Sequence, residues 1–416
     1  MEAIDHLYNM CAIGKRNAGF GGDIAAAAYI EKFFYSIGLK NVQRQSFLCR
    51  AWDFTDCKLF MGKGGVKKEI RALPCYYSPS TPIEGLHKSF LYVDSPEALK
   101  SVGQEAEDKI ILLYMELIGS VPLFETLKSH RPAAVVSICT GNDPFVGLMD
   151  KYIVMNCPGL PMASISYSDA ETIVLENPDI LHLYIEAKYK ERAHSENVTA
   201  RIETSGAEKN IMLGAHYDTI PLPHCATDNT AGISVIMDTA EKLTTRTLNK
   251  YNVEFVSFSA EEIDRQGALD YIDKNTATIN NTVLMIYIDG CGPYIGQNNL
   301  QIIGEARVAE VCMEAADSIG FPLAIDNRTI MYWDHAYIAS MGTPSGYLSR
   351  GPLKNWHTRN DTPDKLSARQ MGLMSDYLTE LVLTLDRTDA YDNLEIDKTV
   401  TEEINKAIRS FEVKVK

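Results

Sequence analysis

The sequence predicts an α/β fold in which a mostly parallel, mixed sheet is sandwiched by helices, with a smaller mainly-β or α+β domain inserted into it. Three observations predict this. From about Asn197 onward, short β-branched and apolar runs alternate with longer stretches carrying an apolar stripe at helical spacing, the pattern of strand-helix units around a parallel sheet. Runs such as IMLGA and VLMIYI are continuously apolar, as strands covered on both faces require. Between residues 51 and 190 that regularity lapses, with turns such as YYSPSTP and CTGNDPF around two strand-like elements, IILLYMELI and PAAVVSI. The chain therefore divides into a main domain of residues 1–50 and 191–416 and an insert of residues 51–190.

The elements follow in order. In the first segment IAAAAYIEKFFYSIG presents an apolar stripe, with Asp23 placed to cap the helix and Gly38 to close it. A strand over 42–48 follows. Beyond the insert the spacing predicts a strand over 210–215, a helix over 231–243, a strand over 253–258, a helix over 264–274 and a strand over 283–288. A helix over 307–319, a strand near 344–348, a long helix over 367–385 and an amphipathic helix over 399–416 complete the series.

Composition bounds the function. Of 416 residues 45% are hydrophobic and 23% charged, the balance of a globular chain. Forty basic against 55 acidic residues leave a net charge of -15, which offers no general attraction to nucleic acid or anionic lipid. Neither is expected as a partner. The opening MEAIDHLYNM has acids where a signal peptide has bases, and no apolar run approaches the roughly 20 residues of a membrane span. Nine cysteines are scattered without CxxC spacing, so a reducing, cytoplasmic setting is expected.

Chemistry collects where the apolar runs stop. His216, Asp228, Glu261, Glu262 and Asp289 each follow a predicted strand or open the next helix, and ligands of open α/β sheets sit outside the carboxyl ends of the strands. Four acids held close together repel unless they share a counter-charge. A pair of divalent metal ions is the simplest one. In HYD, Asp218 stands two residues after His216, where it can hold the second ring nitrogen of a ligand histidine. Asp228, in ATDNTAG, also reads as an ordinary helix cap, as does Asn229. Glu261 and Glu262 are consecutive and point different ways, so one can hold metal while the other faces the water it activates. Asp289, in YIDGCG, is costly to bury without a partner. His357 lies in the loop NWHTRNDTPDKL, and His224 and His335 compete with it as ligands.

Taken together, GAHYDT, TDNTAG, FSAEEIDRQG, YIDGCG, WDHAYIASMGTP and WHTRNDTPDKL resemble, in order and spacing, the zinc peptidase family that includes aminopeptidase Y, the secreted bacterial dizinc aminopeptidases, glutamate carboxypeptidase and glutaminyl cyclase. The resemblance covers about 195–390, and GKRNAGFGGDIAAAAYIEKFF resembles the family's opening helix segment. It implies a zinc-peptidase fold holding two Zn2+. Asp228 would bridge the ions, His216 and Asp289 would complete one, and Glu262 and His357 the other. Glu261 would be the general base and Asp218 the partner of His216. The resemblance also implies a cis peptide between Asp228 and Asn229. The insert, with EDKIILLYMELIG, RPAAVVSI and GLPMASISYSDAETI, resembles the protease-associated domain, which would cover the site or restrict substrate size. One difference stands out: several relatives carry an oxyanion-stabilising tyrosine before the last histidine, where this chain has Trp356, whose indole N–H donates with a different reach. Asp334 and His335 match a motif outside the metal shell and are placed as structural or near the substrate.

The expected activity is that of a metal-dependent exopeptidase, an aminopeptidase acting on peptides; other divalent metals are compatible with the ligand set. A carboxypeptidase-like hydrolase would need cations for a C-terminal carboxylate, with Arg328, Arg350 and Lys354 as candidates. A one-metal glutaminyl cyclase and a non-catalytic receptor or binding module are alternatives that the complete ligand set disfavours. The sequence leaves a homo-oligomer open.

Overall fold

The structure, a computed structural model, describes residues 1–114, 121–147, 159–325 and 332–413. It divides into two compact units, one of Met1–Cys49, Arg192–Trp356 and Asn360–Val413, the other of Arg50–Glu191 with His357–Arg359.

The first unit is built on a mixed sheet. Its centre is four parallel strands in the order Ser345–Gly351, Thr282–Ile288, Asn210–His216 and Asn252–Phe258. Gln297–Ile303 pairs antiparallel with the first of these, and residues 198–202 of the long strand Ile180–Ile202 pair antiparallel with the last. All seven residues of Asn210–His216 are buried, and they alternate between two cores. Ile211, Leu213 and Ala215 join the helices Ala3–Cys11, Gly22–Ser36, Ala231–Thr244, Ala306–Ile319 and Ala368–Arg387. Met212 joins Gln266–Lys274, Asp334–Ala339 and Lys398–Val413 in the other core. The period-2 alternation of a strand thus feeds helix layers on both faces.

Four local outcomes differ from the sequence expectation. Ala3–Cys11 is a helix that the sequence reading missed; its buried face, Ala3, His6, Leu7, Met10 and Cys11, is interrupted by a histidine. His6 is fully buried, its Nδ1 2.9 Å from the Tyr29 hydroxyl and its ring edge-on to Phe33. Asp23 does not cap its helix: it is buried and accepts the N–H groups of Gly19 and Gly21 and the hydroxyl of Ser195. The helix expected from residue 264 begins at Gln266, because Asp264 and Arg265 are left-handed, with φ of 67° and 51°. Gln297–Ile303 was unexpected because its amides dilute the apolar signal; Asn298 is buried and satisfied by the Pro322 carbonyl and Arg350.

The second unit carries a five-stranded sheet in the order Leu73–Pro74, Met162–Ile165, Ala134–Ile138, Ile110–Leu113 and Phe90–Val93. The last four strands are parallel, with helices Pro96–Val102 and Val121–His130 between them along the chain and Tyr167–Glu176 following. This insert is more regular than its sequence texture suggests, because its four parallel strands are only four or five residues long and their apolar runs are brief. No described helix is long and apolar enough to cross a membrane.

Candidate active site

Three of the parallel strands end side by side. His216 pairs with Phe258 at the ends of their strands, and Gly214 faces Tyr287 one residue before the end of Thr282–Ile288. The residues that follow, including Glu261, Glu262 and Asp289, therefore leave the sheet from one edge. Asp228 arrives there through the loop after His216, and that loop is held from two sides. Arg16, fully buried, donates to the carbonyls of Met10 at 3.1 Å, Gly14 at 3.0 Å, Tyr217 at 3.2 Å and His224 at 2.9 Å, and to the Thr230 hydroxyl. The Asp361 carboxylate accepts the N–H groups of Thr227 and Asp228. The Asp228–Asn229 peptide is cis, as the resemblance implies. Asn229, not Asp228, serves as the helix cap, since its Oδ1 accepts the Gly232 N–H at 3.0 Å while its Nδ2 donates to the Ile288 carbonyl at 2.8 Å. Gly232 is required by this approach, because a Cβ there would stand 2.2 Å from Asn229 Oδ1 and 2.8 Å from the Ile288 oxygen.

One ligand atom from each of His216, Asp228 and Asp289 lies within 4.8 Å of the others, and carboxylate oxygens of Asp228 and Glu262 are equally close. His216 Nε2 is 3.2 Å from Asp228 Oδ1 and 3.7 Å from Asp289 Oδ2, buried and without a hydrogen-bond partner. Its Nδ1 is 3.1 Å from the Asp218 carbonyl oxygen and 3.5 Å from the Asp218 carboxylate, which turns Nε2 toward the acids as a ligand requires. Burial works against the His216 imidazolium, but Asp289, Asp218 and Asp228 outweigh it and hold its pKa well above the ordinary value. A buried imidazole that needs a positive charge among carboxylates fits a divalent cation, which supplies that charge in place of the proton. The donor set, histidine with oxygen ligands, suits zinc and its neighbours.

Beside these ligands stands Glu261. Its backbone N–H donates to Asp218 Oδ1 at 3.1 Å, so Asp218 touches both His216 and the Glu261 segment. Burial raises the Glu261 pKa well above the usual carboxylate range, against the opposing charges of Arg265 and His216. Glu262 turns the other way, accepting the Ile220 N–H at 3.1 Å, as two consecutive acids must. Asp334 is fully buried near this group, and burial pushes its carboxyl up to about 7. His335 is not near solvent: it stacks with Tyr287 and Tyr347, and burial lowers its pKa to about 3. His224 is outside the ligand group found among the described residues. Trp356 is half-buried in the first unit. His357 falls in the second unit, where its Nδ1 is 3.0 Å from the Val146 carbonyl.

Sequence reasoning missed three residues of this machinery: Arg16, Asp361 and Arg265. Each lies inside a motif already quoted, Arg16 in GKRNAG, Asp361 in TRNDTPDKL and Arg265 four residues after Glu261. Of the cations considered for a carboxylate, Arg350 is committed to the carbonyls of Pro293 and Tyr294 and to Asn298, Lys354 is exposed, and Arg328 is outside the described residues.

Residues 197–382 match the family described as peptidase family M28. That stretch is similar to M28 peptidase domains. The chain is similar to aminopeptidase YwaD of Bacillus subtilis, 27% identical over 312 residues, 68% of this chain and 64% of YwaD's length. It is also similar to carboxypeptidase Q of Bos taurus, 23% identical over 388 residues, 87% of this chain and 80% of that one. Among solved structures, a peptidase M28 precursor from Shewanella amazonensis superposes with a TM-score of 0.81 at 17% identity, covering 94% of each chain. BSAP, a zinc aminopeptidase from Bacillus subtilis, does so with 0.74 at 21% identity, covering 94% of this chain and 97% of its own. These two likenesses are those of the fold, the helix-sandwiched mixed sheet of M28 peptidases.

Proposed function

We propose that this chain is a metal-dependent exopeptidase, an aminopeptidase that releases N-terminal residues from peptides with the help of two zinc ions. One observation carries the reading: His216 Nε2, Asp228 and Asp289 converge at the strand ends, buried, with Glu261, whose Oε1 accepts no hydrogen bond, electrostatically coupled to His216. The printed activities of YwaD and BSAP support it. In this reading His216, Asp228 and Asp289 would hold one ion and Asp228 and Glu262 the other, with His357 completing it as the resemblance implies. Once bound, the ions supply Lewis acidity to the scissile carbonyl and the attacking water. Glu261 accepts the proton of that water and passes it to the leaving amine as the C–N bond breaks, and its raised pKa suits a base that must also act as an acid. Asp218 holds both the His216 ring and the Glu261 backbone in place. Trp356, half-buried, is assigned to the wall on the substrate side. The similarity to carboxypeptidase Q over 87% of the chain keeps a carboxypeptidase-like hydrolase as the second reading. We further propose that the peptides are met in a reducing cytoplasm, supported by the free thiols of the described cysteines.

The test is metal content per chain on protein purified without chelator, together with hydrolysis of aminoacyl anilides and of N-blocked controls. Two equivalents of zinc and cleavage of unblocked substrates alone support the aminopeptidase. Cleavage of peptides blocked at the N-terminus but free at the C-terminus would replace it with the carboxypeptidase.

A further inference from the structure

Arg265 stands against Glu261 in an ion pair, its Nε 3.4 Å from Oε1. Two other buried arginines of the same unit show what a structural arginine does here. Arg16 places its guanidinium on four carbonyls and a hydroxyl, and Arg350 places its own on two carbonyls and an amide. Arg265 does neither. Its Nε is buried without a hydrogen-bond partner. The acid beside it, Glu261, has Oε1 3.4 Å from that Nε in an ion pair that is not a hydrogen bond, and this oxygen accepts no other hydrogen bond. The Asp334 carboxylate, close enough to influence its charge, has both oxygens without partners as well. Buried polar atoms are nearly always satisfied, so a guanidinium whose contact with an acceptor is this one unaligned ion pair has donors left for a further acceptor.

The side chain is nonetheless held. Consecutive left-handed residues Asp264 and Arg265 turn the chain back after Glu261, and the guanidinium lies over the Trp333 ring, 4.9 Å from its centroid. This cation–π contact holds the guanidinium without using its N–H groups. About a quarter of the side chain stays accessible, at 27%. A planar, preorganised fork with unused donors matches a carboxylate bidentately.

We infer that Arg265 is a substrate-binding residue that takes a carboxylate of the peptide, so that the enzyme selects substrates carrying an anionic group next to the scissile bond. This rests on the exopeptidase reading. The carboxylate has two sources: the free C-terminus of a dipeptide or an acidic side chain on the residue after the bond. A dipeptide presents both a free N-terminus and a free C-terminus beside the same bond, so this subsite would reconcile the similarities to an aminopeptidase and to a carboxypeptidase.

Two substrate pairs separate the sources on zinc-loaded protein: Ala-Ala against its C-terminal amide, and Ala-Asp-amide against Ala-Asn-amide. The wild type is expected to favour the carboxylate member of one pair by about tenfold or more in kcat/KM, the worth of a charge-assisted hydrogen-bond pair. Arg265→Gln brings that ratio to near unity, and Arg265→Lys, which keeps the charge but loses the fork, restores part of it. Preference in the first pair assigns the C-terminus, and in the second the acidic side chain. No preference in the wild type, or the same preference in Arg265→Gln, overturns the inference. If the wild type cleaves no peptide, the exopeptidase reading fails. Calorimetric binding of the same pairs to metal-free wild type and Arg265→Gln then decides: equal affinity for carboxylate and amide overturns the subsite, and a carboxylate preference lost in the variant supports it.

Discussion

Asp361 holds Asp228 by its backbone: one carboxylate oxygen accepts the Asp228 N–H at 3.2 Å while the other accepts that of Thr227 at 2.8 Å. Asp361 is buried, and burial pushes its carboxyl up to about 6. Asp361→Ala strands two buried donors, at about 1–3 kcal/mol each. The expected result is a lower melting temperature together with weaker metal retention, measured by calorimetry and metal analysis. Asp361→Asn, which keeps one acceptor, should fall between. Unchanged metal content in the alanine variant would show that Asp228 needs no such support.

Removing the proposed base tests the chemistry alone. Glu261→Gln keeps the shape and the backbone hydrogen bond to Asp218, so metal content should stay at the wild-type level. Turnover of a free aminoacyl anilide should drop by about 100- to 10,000-fold. Equal rates in variant and wild type would remove Glu261 from the mechanism.

Chelation should destabilise the wild type reversibly. Ions bound only to the folded state add RT ln(1 + [L]/Kd), about 4 kcal/mol per site at a thousandfold excess over Kd. The melting temperature is therefore expected to fall on chelator treatment and to recover with zinc. His216→Ala should melt at the same temperature with or without chelator at that site, so a full chelator response in this variant would argue against His216 as a ligand.

A pH effect arises far from the chemistry. Burial lowers the His6 pKa from 6.5 to about 4, so the folded state keeps this ring neutral while the unfolded chain binds a proton below about 6.5. The stability it contributes is present above pH 6.5 and is lost progressively as pH falls to 4, worth about 3 kcal/mol in full. His6→Gln should flatten that limb of a denaturation-midpoint profile. An equal acid sensitivity in the variant would place the effect elsewhere.

Gly232→Ala offers a steric test. The added Cβ would meet Asn229 Oδ1 and the Ile288 carbonyl well inside contact distance. A loss of about 1–3 kcal/mol or more is expected from such overpacking, read as a lower denaturation midpoint.

Much of this was legible in the sequence because strands and ligands obey short-range rules. The seven-residue strand ending at His216 reads as an apolar run, and an acid or histidine at the end of such a run is visible by its contrast. Capping and anchoring roles were less legible. Asp23 looks like a helix cap from its position, yet it serves a loop and Ser195, a partner 172 residues away. Arg16 and Asp361 act on carbonyls and N–H groups, which nearly every residue has, so no residue type elsewhere in the chain marks their targets. The placement of Arg265 depends on two left-handed residues and on Trp333, none of which a periodicity count can locate.

The span bridged by Arg16 has a consequence for the birth of the protein. Its acceptors include the His224 carbonyl, 208 residues further along the chain. At a ribosomal pace of about 5–20 residues per second, the opening segment waits roughly 10–40 s before that acceptor exists. Throughout that interval the guanidinium and the apolar face of the first helix have no home in the nascent chain. The insert, whose own sheet needs nothing beyond Ile165, can assemble while the two sequence halves of the first unit are still incomplete.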